Sequence, residues 1–225
     1  AAGLVGQLRA TQNQTELAKY TRDLYLGLEA ETGQATGYRS TGSISVARTP
    51  EREEELKRQA GMAAAFGVEV APISLEEARE KAPLLNIDDL VAAYLIPSDG
   101  MTNPTDTTQA LARGARNGGA KIVEGVQVSK ILLSDGCAVG AETDQGRFEA
   151  EVVVVCAGMW TRELCAPLGV DVPLHAAEHY YIVTRPIGGV LRNQPVLRDM
   201  DGYIYIKEEV GGLLLGGFEP NAKPW

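Results

Sequence analysis

Both histidines of the chain stand in one aromatic segment, "HAAEHYYIVTRP" at residues 175–186. If a strand begins near residue 178, His179 and Tyr181 share one face, because side chains alternate along a strand. A histidine among aromatic side chains can accept a proton or hydrogen-bond a substrate. A histidine with a purely structural role would give the same pattern, so both interpretations stay open.

A second aromatic segment, "DGYIYIKEE" at residues 201–209, has Tyr203 and Tyr205 two positions apart. On a strand these rings share one face, and Lys207 continues it. Two tyrosines on one face can cage a small amine through cation–π attraction. Packing in the core is the alternative interpretation.

The third candidate is "VVVVCAGMW" at residues 152–160. Its β-branched run predicts a strand over 151–156 that is buried on both faces. Ligands of open α/β sheets bind beyond the carboxyl ends of strands. At this end stand the small residues Cys156, Ala157 and Gly158, which allow close backbone approach. A helix predicted at 160–168 would add free N–H groups. An ordinary tight turn is the alternative.

Val126 follows Gly125 in "VEGVQV", after a strand predicted at 121–124. The backbone of such a strand can contact the ring edge of a ligand, whereas a plain β-bulge at Gly125 would explain the glycine equally well.

Other chemistries have little support in the sequence. It contains no G-x-G-x-x-G, P-loop, G-x-S-x-G or H-E-x-x-H motif. His175 and His179 are four residues apart, but the β-type residues that follow argue against a helical metal pair. The three cysteines are odd in number and unevenly spaced, which favours free thiols in a reducing compartment.

The net charge of −9 argues against nucleic acid or an anionic membrane surface as a partner. No apolar run approaches the roughly 20 residues of a membrane helix, and no signal peptide is recognisable.

The elements that would position these residues alternate in type. Helices are predicted at 15–33, 49–67, 74–85, 104–119 and 160–168. Strands are predicted at 43–47, 68–74, from residue 90, and at 121–124, 126–133, 137–143, 151–156, 179–184, 203–207 and 213–217. This order predicts a mixed α/β or α+β fold with a boundary near residue 170.

Several collinear segments resemble a known family. "LEAETGQATGY", "PLLNIDDLVAAYLIPSDGMTNP", "VVVVCAGMWTREL", "VPLHAAEHYYIVTRP" and "GGFEPN" resemble the FAD-dependent amine oxidoreductases of the D-amino-acid-oxidase superfamily. The most similar branch holds the dimethylglycine and sarcosine dehydrogenases and the regulatory subunit of pyruvate dehydrogenase phosphatase. The resemblance implies a partial Rossmann-like FAD-binding domain with inserted substrate-domain segments over 1–170. It also implies antiparallel substrate-domain strands over 171–225.

The resemblance also implies roles for single residues. Val126 would lie beside the adenine of FAD, and Trp160 would pack on the cofactor side of its helix. Cys156, Ala157 and Gly158 would form the turn beside the pyrophosphate and ribose. His179 and Tyr205 would line the substrate cavity. The family's glycine-rich loop and flavin-attachment histidine would precede Ala1, so this chain alone is not expected to bind FAD tightly.

The implied reaction is FAD-dependent oxidative demethylation of an N-methyl amino acid such as sarcosine or dimethylglycine. Hydride transfer to the flavin would give an iminium and then formaldehyde, with His179 as proton acceptor or hydrogen-bond partner and Tyr205 orienting the substrate. An electron-transfer flavoprotein or oxygen would take the electrons, in the bacterial cytoplasm or the mitochondrial matrix. The resemblance leaves two alternatives: an enzyme for another amine, and a non-catalytic, flavoprotein-like regulatory or interaction subunit.

Overall fold

A computed structural model describes residues 2–225, which form two compact units. Unit 1 contains the described residues up to Ala120 together with His179–Asn221, and unit 2 contains Lys121–Glu178 with Ala222–Trp225. Ala1, predicted to follow the flavin-attachment motif, lies outside the described residues.

The helices and strands alternate along the chain. The helices are α1 (Gln12–Thr32), α2 (Pro50–Ala65), α3 (Leu75–Lys81), α4 (Pro104–Asn117) and α5 (Thr161–Cys165), and α5 is flanked by 3-10 turns at Gly158–Trp160 and Ala166–Leu168. The strands are β1 (Leu4–Val5), β2 (Ser43–Ala47), β3 (Ala71–Ile73), β4 (Ala92–Ile96), β5 (Gly100–Met101), β6 (Val128–Ser134), β7 (Cys137–Thr143), β8 (Gly146–Glu149), β9 (Tyr181–Val183), β10 (Val196–Asp199), β11 (Ile204–Glu209) and β12 (Gly212–Gly217).

The helices of unit 1 begin and end at capping residues. The Thr11 side chain accepts the Gln14 N–H at the start of α1, which ends at Gly33 with a left-handed φ of 68°. The Ser74 side chain caps α3 in the same way, and Asn103 caps α4. Such side chains accept the backbone N–H groups that have no partner inside the helix. Ser74 and Gly33 therefore mark the ends of their helices.

A seven-stranded sheet with the order β3-β4-β2-β10-β11-β12-β9 forms the centre of unit 1. Neighbouring strands are antiparallel except β2 and β10, which pair in parallel with Val196 opposite Ser43. The short strands β1 and β5 form a separate antiparallel pair. Backbone pairing therefore holds the N-terminal segment to β5, the short strand that follows β4.

Opposite faces of the large sheet pack on different helices. Ile44 and Leu197 pack with Ala78 of α3 in one cluster of buried residues. Tyr94 packs with Leu56 of α2 in another. This follows from the alternation of side chains along β2 and β4. Full burial of a side chain such as that of Ile44 or Leu197 stabilises a fold by about 1.5–3 kcal/mol.

Unit 2 is built on the antiparallel meander β6-β7-β8. Asp135 and Gly136 connect the first two strands with φ values of 51° and 78°. Positive φ at both turn residues is typical of the hairpin turns that match strand twist. The two strands predicted at 126–133 and 137–143 are thus joined as a hairpin.

Two strands predicted for unit 2 do not form. The residues of 151–156 are in no strand, and Val152 and Val154 are 75% and 77% exposed. The segment 121–124 is also irregular, and the third strand of the meander is β8 instead. A strand exists only where a neighbour completes its backbone hydrogen bonds, and no strand described in residues 2–225 pairs with 151–156.

The predicted helix at 160–168 is also different in the structure. Its α-helical part, α5, has only five residues between two 3-10 turns. Pro167 explains this, because proline lacks the N–H that a continuing helix needs. The predicted contribution of N–H groups at this helix start to ligand binding stays a prediction.

Candidate functional site

A cavity of about 500 Å³ opens on unit 1. Its walls come from the N-terminal segment and from the sheet at β10 and β11: Ala2, Gly3, Leu4, Arg198, Met200, Ile204, Tyr205 and Phe218. The volume is in the range of small-molecule sites, which span roughly 300–1,000 Å³. Most of the lining is apolar, and the polar groups are a guanidinium and a phenol.

Tyr205 is held in this wall by its neighbours across the sheet. It stands opposite Arg198 on β10 and opposite Gly216 on β12. A Cβ atom at Gly216 would lie 2.1 Å from Cζ of Tyr205, so the ring occupies the space that a side chain there would fill. Burial raises the pKa of the Tyr205 hydroxyl, and Tyr181 and Glu219 raise it further. The phenol is therefore a hydrogen-bond donor at neutral pH.

His179 lies next to the same wall through Phe218. The His179 ring packs edge-on against Phe218 with centroids 5.8 Å apart. Tyr205 packs on Phe218 at 5.3 Å. The two predicted catalytic residues are thus brought together around one phenylalanine, and Tyr205 but not His179 is among the cavity-lining residues.

Glu219 orients the His179 ring. Its Oε2 is 2.7 Å from His179 Nδ1. Hydrogen bonds from its own backbone N–H and from His179 hold the pKa of this exposed carboxyl below its ordinary value. The ionised carboxylate can only accept, so Nδ1 carries the hydrogen and Nε2 of the neutral ring is left as a proton acceptor.

The predicted pairing of Tyr203 with Tyr205 on one strand face is wrong. Tyr203 precedes β11 with a φ of 56°, and its side chain is exposed. The turn between β10 and β11 requires this backbone conformation, which interrupts the alternation. Lys207 does continue the face of Tyr205, and it is buried in an ion pair of 2.8 Å with Glu209.

The predicted flavin contacts all belong to unit 2. Val126 lies half-buried before β6, directly after Gly125, whose φ is 69°. Cys156 is exposed and Ala157 is half-buried. Trp160 is 55% exposed and packs edge-to-face on Trp225 with centroids 6.2 Å apart.

The backbone of the turn at Gly158 is accessible, as the close approach of a bulky, phosphorylated ligand would require. The φ of Gly158 is 55°, and no atom beyond its chain neighbours lies within 4 Å of the position of a Cβ atom. Backbone without a side chain, in a left-handed conformation and with open space beside it, allows the close approach that a nucleotide needs. The roles of Val126, Cys156, Ala157, Gly158 and Trp160 toward FAD remain predictions.

No three His, Cys, Asp or Glu side chains of residues 2–225 are grouped closely enough to hold a metal ion. No helix in the described part of the chain combines the length and apolarity needed to cross a bilayer.

Three residues of the site were not singled out in the sequence: Phe218, Glu219 and Arg198. Phe218 and Glu219 stand in "GGFEPN", whose chemistry no short motif indicates. Arg198 follows Leu197 in a strand that was not predicted. The available signal for Arg198 was an arginine that directly follows the apolar residues Val196 and Leu197.

Comparison with known proteins decides the family. The FAD dependent oxidoreductase family, DAO, matches residues 1–225. The chain belongs to this family. FAD is the cofactor that defines the family, so the predicted family and cofactor are confirmed.

Three curated relatives resemble the chain over nearly all its length. The mitochondrial pyruvate dehydrogenase phosphatase regulatory subunit of Mus musculus is 41% identical over 99% of this chain and 26% of its own length. The formaldehyde-forming 4-methylaminobutanoate oxidase of Paenarthrobacter nicotinovorans is 41% identical over 100% of this chain and 27% of its own. The mitochondrial sarcosine dehydrogenase of Homo sapiens is 37% identical over 100% of this chain and 25% of its own. The chain thus spans about a quarter of the length of these relatives.

Solved structures share the fold. L-proline dehydrogenase from P. horikoshii superposes with a TM-score of 0.88 and 26% identity, over 96% of this chain and 58% of that one. Glycine oxidase from Geobacillus kaustophilus superposes with a TM-score of 0.78 and 28% identity, over 100% of this chain and 60% of that one. The predicted mixed α/β fold class is confirmed, whereas the assignment of domains to 1–170 and 171–225 stays a prediction.

Proposed function

We propose that the protein containing this chain oxidatively demethylates an N-methyl amino acid of the sarcosine or dimethylglycine type. The observation that carries the proposal is the grouping of His179, Glu219 and Tyr205 around Phe218 beside a small, mostly apolar cavity. It offers one proton acceptor, one hydrogen-bond donor and space for a methyl group. The relatives that oxidise methylated amines support the same chemistry.

FAD would be held in part by Val126, by the turn Cys156-Ala157-Gly158 and by Trp160. The chemistry that it supplies when bound is acceptance of a hydride from the N-methyl carbon, after which the substrate iminium hydrolyses to formaldehyde and the demethylated amine.

His179 and Tyr205 prepare the substrate for this step. An ammonium group cannot release a hydride from its methyl carbon easily, because its nitrogen lone pair is occupied by a proton. Nε2 of His179 accepts that proton, while Glu219 fixes the ring through Nδ1. The hydroxyl of Tyr205 donates a hydrogen bond that orients the substrate against the wall formed by Phe218.

Steady-state kinetics of the full-length protein test the proposal. Sarcosine, dimethylglycine and 4-methylaminobutanoate are supplied with an artificial electron acceptor, and formaldehyde is measured. We expect His179→Gln to lower kcat/KM by about 10²–10⁴-fold, the usual contribution of a general base. Loss of one hydrogen bond in Tyr205→Phe is expected to cost roughly tenfold. His175→Gln, which changes the exposed histidine of unit 2, is the matched control.

If none of these amines yields formaldehyde with the wild-type protein, the proposed reaction is excluded. If they react but His179→Gln behaves like His175→Gln, the reaction stands and the assignment of the base is wrong.

The electron acceptor and the compartment are part of the proposal. We infer an electron-transfer flavoprotein as the acceptor, with oxygen as the competing one; oxygen consumption during turnover distinguishes them. Two of the relatives are named mitochondrial proteins, which supports the mitochondrial matrix or, in a bacterium, the cytoplasm.

A regulatory or interaction subunit is the second candidate. Its support is that identity to the phosphatase regulatory subunit equals identity to the 4-methylaminobutanoate oxidase, at 41%. A protein of this kind would bind FAD without turning over amines, and it would change the activity of a purified protein phosphatase. Formaldehyde release from an N-methyl amine counts against it.

A further inference from the structure

We propose that Arg198 binds the carboxylate of the substrate and so makes the site selective for N-methyl amino acids over simple N-methyl amines. This inference rests on the proposed function and adds the residue that determines specificity within it. It names a carboxylate as the anionic group of the ligand.

Arg198 is half-buried, and its side chain extends to the cavity. It stands in the middle of the seven-stranded sheet, on β10 between β2 and β11. Its guanidinium lies under the N-terminal segment, and a Cβ atom at Gly6 would be 2.4 Å from Nη2. Arg198 is one of the two polar side chains in the wall of the 500 Å³ cavity.

The charge of Arg198 is poorly compensated inside the chain. Burial lowers its pKa, the Asp99 carboxylate acts in the opposite direction, and Arg9 lowers it further. A guanidinium remains protonated at neutral pH even so, because its ordinary pKa lies far above neutrality. Within residues 2–225, the Arg198 guanidinium forms no hydrogen bond or ion pair, although it carries five N–H donors.

Asp99 forms no hydrogen bond or ion pair with Arg198 among the described residues, because other donors orient its carboxylate. Oδ1 accepts the backbone N–H of Gln7 at 2.8 Å, and Oδ2 accepts the hydroxyl of Ser43 at 2.6 Å. A charge that is partly withdrawn from water and has no partner is costly. A bound anion would supply the acceptors that the fold does not.

The position of Arg198 suits a carboxylate in particular. It stands directly opposite Tyr205, so both side chains project from the same face of the sheet. A planar guanidinium binds a carboxylate through two parallel hydrogen bonds. The rest of the wall, including Leu4, Met200 and Phe218, is apolar and suits the methyl group.

Other cations of unit 1 are less suited to this role. Arg39 forms an ion pair with Glu208 at 2.5 Å, and Lys207 is paired with Glu209. Arg185 is exposed and does not line the cavity.

A substrate pair that differs only in the anionic group tests the proposal. Sarcosine and N-methylethylamine share the N-methyl group, but a methyl group replaces the carboxylate in the second. In full-length Arg198→Met we expect kcat/KM for sarcosine to fall by about 10²–10³-fold, the effect of losing a charge-assisted bidentate pair. We expect kcat/KM for N-methylethylamine to change less than threefold, and Arg198→Lys to retain part of the activity on sarcosine.

A binding measurement makes the test independent of turnover. Methoxyacetate carries the carboxylate but no amine, and its affinity is measured by calorimetry. We expect the Kd of methoxyacetate to rise at least tenfold in Arg198→Met and to rise less in Arg198→Lys. The control is Arg185→Met, which removes the same charge from an exposed position and should leave Kd unchanged. Since Arg198→Lys keeps the charge, it serves as the test variant if Arg198→Met does not fold.

The outcomes separate the two proposals. If both substrates lose activity equally, or if methoxyacetate binds the wild type and the variants alike or does not bind at all, Arg198 only balances Asp99 and the inference is overturned. If methoxyacetate binding depends on Arg198 but no N-methyl amine is oxidised, the carboxylate site stands and the proposed reaction fails.

Discussion

Tyr205 occupies the space above Gly216, its partner across β11 and β12. The two residues are in register, and the nearest ring atom would be 2.1 Å from a Cβ atom at Gly216. The absence of one side chain on β12 therefore determines where the only phenol of the cavity wall lies.

Gly216→Ala is expected to displace the Tyr205 ring. An added methyl group in a filled space costs about 1–3 kcal/mol of stability, and moving the ring removes the hydrogen bond to the substrate. We expect kcat/KM for N-methyl amino acids to fall at least as far as in Tyr205→Phe. Gly217→Ala is the control, because its Cβ atom would be 3.6 Å from the nearest atom, Glu219 Oε1, an ordinary contact. Equal kinetics of the two variants would contradict the role of Gly216.

Glu219→Gln is expected to impair activity without impairing stability. Both Glu219 and His179 are well exposed, and exposed pairs contribute about 0–1 kcal/mol to folding. Loss of the carboxylate frees the His179 ring from its fixed orientation, so we expect a fall of roughly 10–100-fold in kcat/KM, by analogy with the groups that orient metal-binding histidines. Kinetics and urea unfolding are measured on the same preparations. A loss of stability with unchanged kinetics would indicate a structural role instead.

Glu208 makes the stability of unit 1 sensitive to acid. Burial acts to raise its pKa, but hydrogen bonds from the Gly211 N–H and from Arg39 outweigh this, and the pKa lies below its ordinary value of 4.5. A carboxyl with a depressed pKa in the folded state stabilises the fold fully above its unfolded pKa, and this contribution is lost as pH falls through the folded pKa.

We therefore expect Glu208→Gln to be less stable than the wild type by about 1–2 kcal/mol at pH 7. The difference should shrink as pH falls below about 4.5. Urea unfolding at a series of pH values measures it. Glu16→Gln removes an exposed pair with Lys19 and should change stability by less than about 0.5 kcal/mol. If the stability difference between Glu208→Gln and the wild type does not change with pH, the lowered pKa of Glu208 is contradicted.

Two glycine-to-alanine changes are expected to act in opposite directions. Gly140 on β7 has a φ of 153°, and a Cβ atom there would be 2.0 Å from the carbonyl oxygen of Phe148. Gly140→Ala should destabilise unit 2 by about 1–3 kcal/mol. Gly61 lies inside α2 with nothing within 4 Å of its Cβ position, so Gly61→Ala should stabilise unit 1 by about 0.5–1 kcal/mol. Thermal unfolding of both variants shows whether Gly140→Ala lowers and Gly61→Ala raises the melting temperature.

Features that depend on local sequence were predictable. The caps at Ser74 and Gly33 and the hairpin at Asp135-Gly136 follow from backbone groups only a few residues away. The helices α1, α2 and α4 agree with the sequence pattern to within three residues at each end, because their apolar faces and their end signals lie in the same segment.

Features that depend on distant partners were not predictable. The valines at 152–155 have strong β propensity but no strand of the described chain beside them. The strand β10 was missed because Arg198 and Asp199 break the apolar pattern, and they are accommodated only through contacts with distant segments. The site shows the same difference between local and distant information. His179 and Tyr205 were predictable because their residue types indicate chemistry. Phe218, Glu219 and Arg198 are brought into the site by the register of distant strands.

The parallel pairing of β2 with β10 has a consequence for synthesis of the chain. Val196 pairs with Ser43, 153 positions earlier (196 − 43). During translation the half-sheet β3-β4-β2 therefore emerges long before its neighbour, with one side of β2 unpaired. Open strand edges promote association between chains. Nascent chains whose translation stops after β2 but before β10 are expected to need a chaperone more than chains that are released after β10.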